Sequence, residues 1–359
     1  MTESGISPGQ WAVQKVLPES RIKERKMVRF GLLGAGRIGK VHARAVTGDA
    51  NAKLVAVADA MAPAAKAIAD QYGCEVRSIE AIRAATDIDA VVICTPTDTH
   101  ADLIEQFVKA GKAVFCEKPI DLSLARVKAC LQVVRQHKGT LMVGFNRRFD
   151  PHFRAVRAEI DKGTIGAVEM VTIISRDPGA PPVDYIARSG GIFRDMTIHD
   201  FDMARFLLGE EITEVSAMAA VLVDPAIGKA GDYDSVQVML KTATGKQAMI
   251  SNSRRATYGY DQRIEVHGAK GSVAAENQRP VSIEVANANG YTRPPLHDFF
   301  MTRYTEAYAA EIATFIAALG GTGKAAPTGE DGLIALALAD AALKSVAEGR
   351  VVKMTEVMI

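Results

Sequence analysis

The run Val28-Arg-Phe-Gly-Leu-Leu-Gly34-Ala-Gly36-Arg-Ile-Gly39 decides the fold. A short apolar segment ends in three glycines spaced GxGxxG, and an Ala-rich helical stretch follows at once. Gly34 suits a tight turn, Gly36 lets the backbone approach a pyrophosphate closely, and Gly39 lets helix pack on strand. The first helical turn, with Arg37 and Ile38, offers unpaired N–H groups and the positive end of its dipole to the phosphates. A second apolar run, Leu54-Val-Ala-Val-Ala, ends in Asp59, 20 residues after Gly39. A carboxylate there accepts hydrogen bonds from a ribose diol and repels a 2′-phosphate, and neither Ala60 nor Met61 supplies a compensating positive charge. Glycine-rich turns occur in other α/β domains too, but here strand, turn, helix, strand and acid stand in register. The pattern predicts a dinucleotide-binding unit that prefers NAD.

Outward from this stretch, strands and helices alternate. Strands are expected at 28–33, 53–59, 89–94, 113–116 and 140–144, with helices between them at about 37–47, 62–72, 78–85, from Thr95 to 110, and 121–137. Such a rhythm gives a parallel, doubly wound sheet with right-handed crossovers, whose ligands sit at the carboxyl ends of the strands. The loops opening at Gly34, Asp59, Thr95 and Glu117 should then face one crevice. After Gly144 the rhythm changes. Asp150-Pro151 reads as an N-cap with proline at the first helical position. A strand at 167–175 precedes a long loop, 176–191, of the length expected for a lid or a functional segment. Runs at about 211–222, 233–241, 246–253, 260–267 and 281–286 have strand character with no helices between them, which predicts an open, mainly antiparallel sheet. Helices at about 299–318 and 330–347 close the chain, the last one able to pack back on the first domain. The expected organisation is a polar leader at 1–26, poorly ordered, a Rossmann domain at 27–145, and an α+β substrate-binding and oligomerisation domain at 146–359.

Bulk properties exclude several classes. The 359 residues are 48% hydrophobic and 24% charged, as in ordinary globular proteins. A net charge of +1 argues against a nucleic-acid or acidic-membrane partner. Cys74, Cys94, Cys116 and Cys130 lack CxxC spacing and read as reduced thiols of a cytoplasmic protein. The apolar run Leu333–Ala339 is too short to span a bilayer, and the leader has no secretory core.

Two stretches carry chemistry. In Glu117-Lys118-Pro119, proline restricts the residue before it to an extended conformation, which aims Lys118 into the crevice. An ammonium there can stabilise negative charge developing on a substrate oxygen. Taken alone, Lys118 also reads as a solvated loop lysine. In Phe193-Arg-Asp195-Met-Thr-Ile-His199, the i, i+4 spacing puts Asp195 and His199 on one helical face. A carboxylate beside an imidazole can orient it and raise its basicity, as suits a general base near neutral pH. A satisfied helix histidine is the plain alternative. Asp202 extends the same face, and Asp-His-Asp spacing could also suggest a metal. No further ligand has suitable spacing, and hydride transfer needs none, so no metal is expected.

With these motifs in hand, the chain resembles the Gfo/Idh/MocA (glucose–fructose oxidoreductase/inositol dehydrogenase/rhizopine-catabolism) family, above all its inositol dehydrogenase branch. The resemblance runs from about Val28 to near the C-terminus. It rests on GAGRIG at 34–39, CTPTDTH at 94–100, EKP at 117–119 and DMTIHD at 195–200. It implies Lys118, Asp195 and His199 as the catalytic trio. It further implies Thr95, Pro96 and His100 at the cofactor, and Glu117 near the nicotinamide ribose. Around the polyol it implies Asn146, Arg147, Arg176, Asp177 and Tyr260. Some members carry His and Asn flanking the arginine where this chain has Ser175 and Asp177, which leaves the polyol isomer open. The activity implied is NAD-dependent oxidation of a cyclic polyol, first myo-inositol to 2-keto-myo-inositol (scyllo-inosose). The alternatives are another polyol or sugar, such as scyllo-inositol or glucose, and a non-catalytic sugar sensor, which would not need lysine and histidine together. A homo-oligomer, a dimer or a tetramer of symmetric dimers, is expected through the open sheet.

Overall fold

The computed structural model describes residues 27–358, so the leader expected at 1–26 lies outside the described residues. The first unit runs β1 (Val28–Leu33), α1 (Arg37–Gly48), β2 (Ala52–Ala58), α2 (Ala62–Tyr72), β3 (Glu75–Val76), α3 (Ile79–Ala84), β4 (Ala90–Ile93), α4 (His100–Lys109), β5 (Ala113–Glu117), α5 (Leu124–Gln136) and β6 (Leu141–Gly144). The strands pair in the order β3-β2-β1-β4-β5-β6, all parallel. The order reverses between β1 and β4, and at that switch point the first strand and the fourth open a crevice at their carboxyl ends. These strands are continuous apolar runs because helices cover both faces; β4 and β6 are buried throughout.

The second unit begins with α6 (Pro151–Asp161). Its start is set locally: the Asp150 carboxylate accepts from the N–H groups of His152 and Phe153, both at 3.1 Å. There follow β7 (Val168–Arg176), α7 (Val183–Ser189), α8 (Ile198–Leu208), β8 (Ile212–Ala220), α9 (Pro225–Lys229), β9 (Ser235–Thr242), β10 (Gln247–Ser253), β11 (Asp261–Gly268) and β12 (Gly271–Ala275). A small hairpin, β13 (Val285–Asn287) and β14 (Gly290–Thr292), precedes α10 (Phe300–Arg303), α11 (Thr305–Leu319), α12 (Gly329–Glu348) and β15 (Val352–Lys353). The large sheet has the order β12-β11-β7-β10-β9-β8-β15. Its pairs are antiparallel except β7 with β10, which are parallel neighbours. One face packs on α8 and α12, and the other is open, so β9 alternates buried and exposed along its length.

Four details differ from the sequence reading. The stretch 176–191, expected as a long loop, holds α7, and α9 lies between β8 and β9 where no helix was expected. The strand expected at 281–286 does not join the large sheet; Pro280 lacks the N–H a ladder needs, and the edge is instead β12. The segment Phe193–Thr197, expected as ordinary helix, is a single π-helical turn leading into α8. Such turns place an extra residue per turn and often re-aim side chains at functional sites.

The two units are tied together at both ends. The start of α12 packs on β6 and α5: a Cβ added at Gly329 would lie 2.3 Å from Leu131, and one at Gly332 3.2 Å from Ile120. The N–H of Val143 on β6 donates to the carbonyl of Pro327 at 2.9 Å. Helix α11 lies against α1, and its Phe315 ring meets Phe30 and Phe115 of the first sheet at centroid distances of 6.3 and 5.9 Å.

Candidate active site

At the crevice, each glycine of the first turn has a steric reason. Gly34 has φ +96°, and a Cβ on it would sit 2.5 Å from the carbonyl oxygen of Cys94. A Cβ on Gly39 would sit 2.1 Å from the carbonyl oxygen of Gly34, so helix and strand could not meet. Around Gly36 there is open space: nothing lies within 4 Å of where its Cβ would be. It caps α1 with no side chain on the helix's first N–H groups, and Arg37 beside it is exposed while Ile38 is half-buried. That combination, free donors beside vacant space, fits a pyrophosphate. Asp59 stands at the end of β2, its carboxylate fixed over the turn by the N–H groups of Ala35 (2.6 Å) and Met61 (2.7 Å). Thr95 and Pro96 follow β4 on the same edge, where Thr95 Oγ1 pairs with Thr99 Oγ1 at 2.6 Å.

On the facing side of the crevice, Lys118 meets the π-helical turn. Its Nζ donates to the Asp195 carbonyl at 2.7 Å and approaches Asp195 Oδ1 at 3.3 Å. Tyr185, on α7, donates its hydroxyl to the same Oδ1 at 3.0 Å. Arg254, at the end of β10, sets two nitrogens 3.5 Å from Asp195 Oδ2. Burial works to raise the Asp195 carboxyl, but Lys118, Arg254 and the Tyr185 hydroxyl outweigh it and hold the group below its ordinary value. His199 lies one turn further on, its ring edge-on to Phe145 at 6.1 Å between centroids. Burial pushes His199 well below its ordinary value, and the cations of Lys118 and Arg147 push the same way. A ring so placed stays neutral near pH 7, able to accept a proton. The Asp195 carboxylate is not bonded to His199: His199 Nδ1 has no partner, because the π-turn and the three donors draw the carboxylate toward Lys118.

Other expected residues divide. Asn146 is buried with its Nδ2 unpartnered, a free donor. Asp177, just past β7, is fixed by its N–H on the Ser253 carbonyl at 2.9 Å. Its carboxyl is pushed up to about 7, chiefly by burial and also by Asp195, against the pull of Arg254 and Arg147. Arg176 is half-buried and donates to the Tyr258 hydroxyl at 3.0 Å. Tyr260 is a core ring, edge-on to Phe299 and Tyr304 at 5.6 and 6.0 Å. Arg147 departs from the expectation of a polyol ligand. It is buried, ion-paired with Asp200, and donates to Ser175 Oγ at 2.9 Å, since a buried cation requires a buried anion. Asp202 is taken by Arg148 at 2.6 and 2.8 Å and does not extend the Asp195–His199 face.

Two residues expected on the cofactor side have internal partners. His100 is enclosed, and both ring nitrogens face carbonyl oxygens, Pro119 at 2.8 Å and Thr95 at 2.7 Å. It is a strut between the loops after β4 and β5. Glu117 points inward: its Oε1 accepts from His42 Nε2 at 2.6 Å, and its Oε2 from the Lys118 N–H at 3.2 Å. Tyr185 and Arg254 were not singled out from sequence. The long proline-containing loop was a signal for the first; nothing local marked the second.

A model of the oxidoreductase family's NAD-binding Rossmann fold matches residues 28–145, and a GFO/IDH/MocA C-terminal domain model matches residues 153–274. The chain belongs to the Gfo/Idh/MocA family of oxidoreductases. Among members of this family, an inositol 2-dehydrogenase of Rhizobium meliloti (strain 1021) is 77% identical over 90% of this chain and 98% of its own. A myo-inositol dehydrogenase structure from Corynebacterium glutamicum superposes with a TM-score of 0.87 at 45% identity, covering 91% of this chain and 98% of that one. A scyllo-inositol dehydrogenase from Lactobacillus casei, solved with NAD(H) and scyllo-inositol, gives 0.86 at 30% identity over 92% and 100% of the two chains.

Proposed function

We propose that this oxidoreductase is an inositol 2-dehydrogenase that oxidises myo-inositol to 2-keto-myo-inositol with NAD⁺. One observation carries the reading: Lys118 is set on Asp195 one turn before the neutral His199, across the crevice from the open glycine turn at Gly34–Gly39. The names of the relatives agree with it.

In this reading Gly34–Gly39 hold the pyrophosphate and Asp59 the adenosine ribose. Bound there, NAD⁺ supplies an acceptor for the carbon-bound hydrogen and its electron pair. His199 accepts the hydroxyl proton, which its neutral ring can do without first losing one of its own. Lys118 donates to the same oxygen as negative charge develops on it. Asp195 fixes the ammonium by charge and through its own carbonyl. Asn146 Nδ2 and the Asp177 carboxyl meet ring hydroxyls, and Tyr185 covers the site from α7. The runner-up substrate is another polyol such as scyllo-inositol, because Ser175 and Asp177 stand where some members have His and Asn and so leave the isomer open.

We take 27–145 as the cofactor unit and 146–359 as the substrate and assembly unit. Among the described residues no helix is long and apolar enough to cross a membrane, and all four cysteines are free. These features support a cytoplasmic enzyme. The open face of the large sheet exposes Met170, Met218, Met239 and Met249. Their clustering supports pairing of two such faces, in a dimer or a tetramer.

The test is a panel of cyclitols and sugars with NAD⁺, followed by NADH absorbance. Myo-inositol should give the highest kcat/KM. No turnover of any cyclitol, or faster turnover with NADP⁺, would overturn the reading.

A further inference from the structure

Behind Lys118, in the apolar interior, lies a cluster that the proposed reaction does not use. Helix α11 of the second unit inserts Glu311 among the side chains beneath the first sheet, and its carboxyl is fully enclosed. Neither of its oxygens has a hydrogen-bond partner. His42 Nε2 lies 4.0 Å from Glu311 Oε1 and donates to Glu117 at 2.6 Å. The cage is completed by Phe115 and Tyr308, whose rings lie 5.1 and 5.5 Å from that of His42. Glu117 is pressed on Gly144, where a Cβ would come within 3.2 Å of its carboxyl. Its other oxygen holds the N–H of Lys118.

We propose that Glu311 is a positioning residue that stands in this core as the neutral acid. Its uncharged carboxyl fills the space behind the His42–Glu117 pair without contesting the hydrogen bond between them, so Glu117 keeps its grip on the Lys118 N–H and the ammonium stays on Asp195. An ionised Glu311 would place a second carboxylate beside Glu117 with no donor of its own, a cost that buried carboxyls avoid by holding their proton. Burial, and then the Glu117 charge, raise Glu311 well above its ordinary value. The other titratable groups turned toward it are His42 from α1, Cys94 from the end of β4 and Tyr308 one turn earlier on α11. Burial raises the Cys94 thiol and the Tyr308 phenol well above their ordinary values, so neither adds charge at neutral pH. A metal is not the natural occupant: two ligands of one tetrahedral ion lie roughly 3.4 Å apart, and the His42–Glu117 separation of 2.6 Å is a hydrogen bond.

The inference rests on Lys118 acting in the proposed reaction, and its test separates the two ideas. Infrared spectra of the full enzyme in D₂O at neutral pH, with ¹³C-carboxyl glutamate incorporated, should contain a protonated-carboxyl band that shifts with the label. The shift distinguishes glutamate from Asp177, and the band should vanish in Glu311→Gln. Its absence from the unmodified enzyme, or its survival in the variant, overturns the proposal whatever the substrate proves to be. In turnover, Glu311→Gln, the nearest uncharged mimic, should keep kcat within about 3-fold. Glu311→Ala should lose about 10- to 10²-fold, the range a small misplacement of a reacting group produces, with KM for NAD⁺ unchanged. Equal losses in both variants, or none in either, would refute the positioning role.

Discussion

Asp177→Asn should make the protein more stable, and only above acid pH. The carboxyl lies at the end of β7, facing Asp195, and burial with that neighbour lifts it from 3.8 to about 7 despite Arg254 and Arg147. A group whose folded value is raised contributes stability below its unfolded value and loses it as pH climbs through the folded one. In the native enzyme that loss begins near pH 3.8 and is complete just above pH 7. A displacement of this size corresponds to up to ~4 kcal/mol at 1.36 kcal/mol per pH unit. The side chain is partly open to water in the crevice, so about 2–3 kcal/mol is the expected gain for an amide of the same shape. At pH 4.5 the gain should be below about 1 kcal/mol. Urea unfolding of both proteins at pH 4.5 and 8.5, at one protein concentration, measures the difference. A gap that does not widen with pH, or an Asn variant that is weaker at pH 8.5, would refute the reasoning.

His199→Ala should lose about 10²–10⁴-fold in kcat with NAD⁺ affinity unchanged, as for a positioned proton acceptor. Because His199 is held well below its ordinary 6.5, oxidation by Asp177→Asn, which lacks the substrate-site carboxyl that titrates at about 7, should stay level through pH 6.5 and fall only beneath it; a midpoint at or above 6.5 in that variant's pH–rate profile would contradict this. Should Lys118→Ala lose turnover while His199→Ala keeps it, the two roles are reversed. Asp59→Ala should narrow the preference for NAD⁺ over NADP⁺ by removing repulsion of the 2′-phosphate; equal kcat/KM of the unmodified enzyme with both cofactors counts against that assignment. Met249→Lys, on the open sheet face, should dissociate the assembly in light scattering, and a monodisperse native monomer at micromolar concentration would remove the interface altogether.

The first unit was legible because its information is local. Three glycines, an acid twenty residues on and apolar runs of strand length fix the turn, the cofactor edge and the parallel order. EKP and the Asp195–His199 spacing were readable for the same reason. What escaped depends on partners far apart in the chain. Arg254 reaches Asp195 across 59 positions because β10 pairs in parallel with β7, a register that strand periodicity does not encode. Arg147 looked like a ligand until Asp200 and Ser175, 53 and 28 positions away, closed around it. His100 and Glu117 lie in motifs beside the crevice, yet their side chains turn into the protein, where Pro119 and His42 satisfy them. The π-turn at 193–197 left no mark in composition, and it decides which neighbour Asp195 serves.

The return of α12 to the first sheet bears on how the protein is made. The N–H of Val143 waits for the carbonyl of Pro327, and Leu131, Leu141 and Ile120 wait for the glycines that follow it. During synthesis, domains generally fold as they emerge, the N-terminal one first. Here the ribosome must deliver the chain past Gly332 before the cofactor-binding sheet gains its outer cover. A stalled or prematurely terminated product lacking residues beyond about 325 would therefore leave a bare apolar flank on β6 and α5, a surface for chaperones and proteases to recognise.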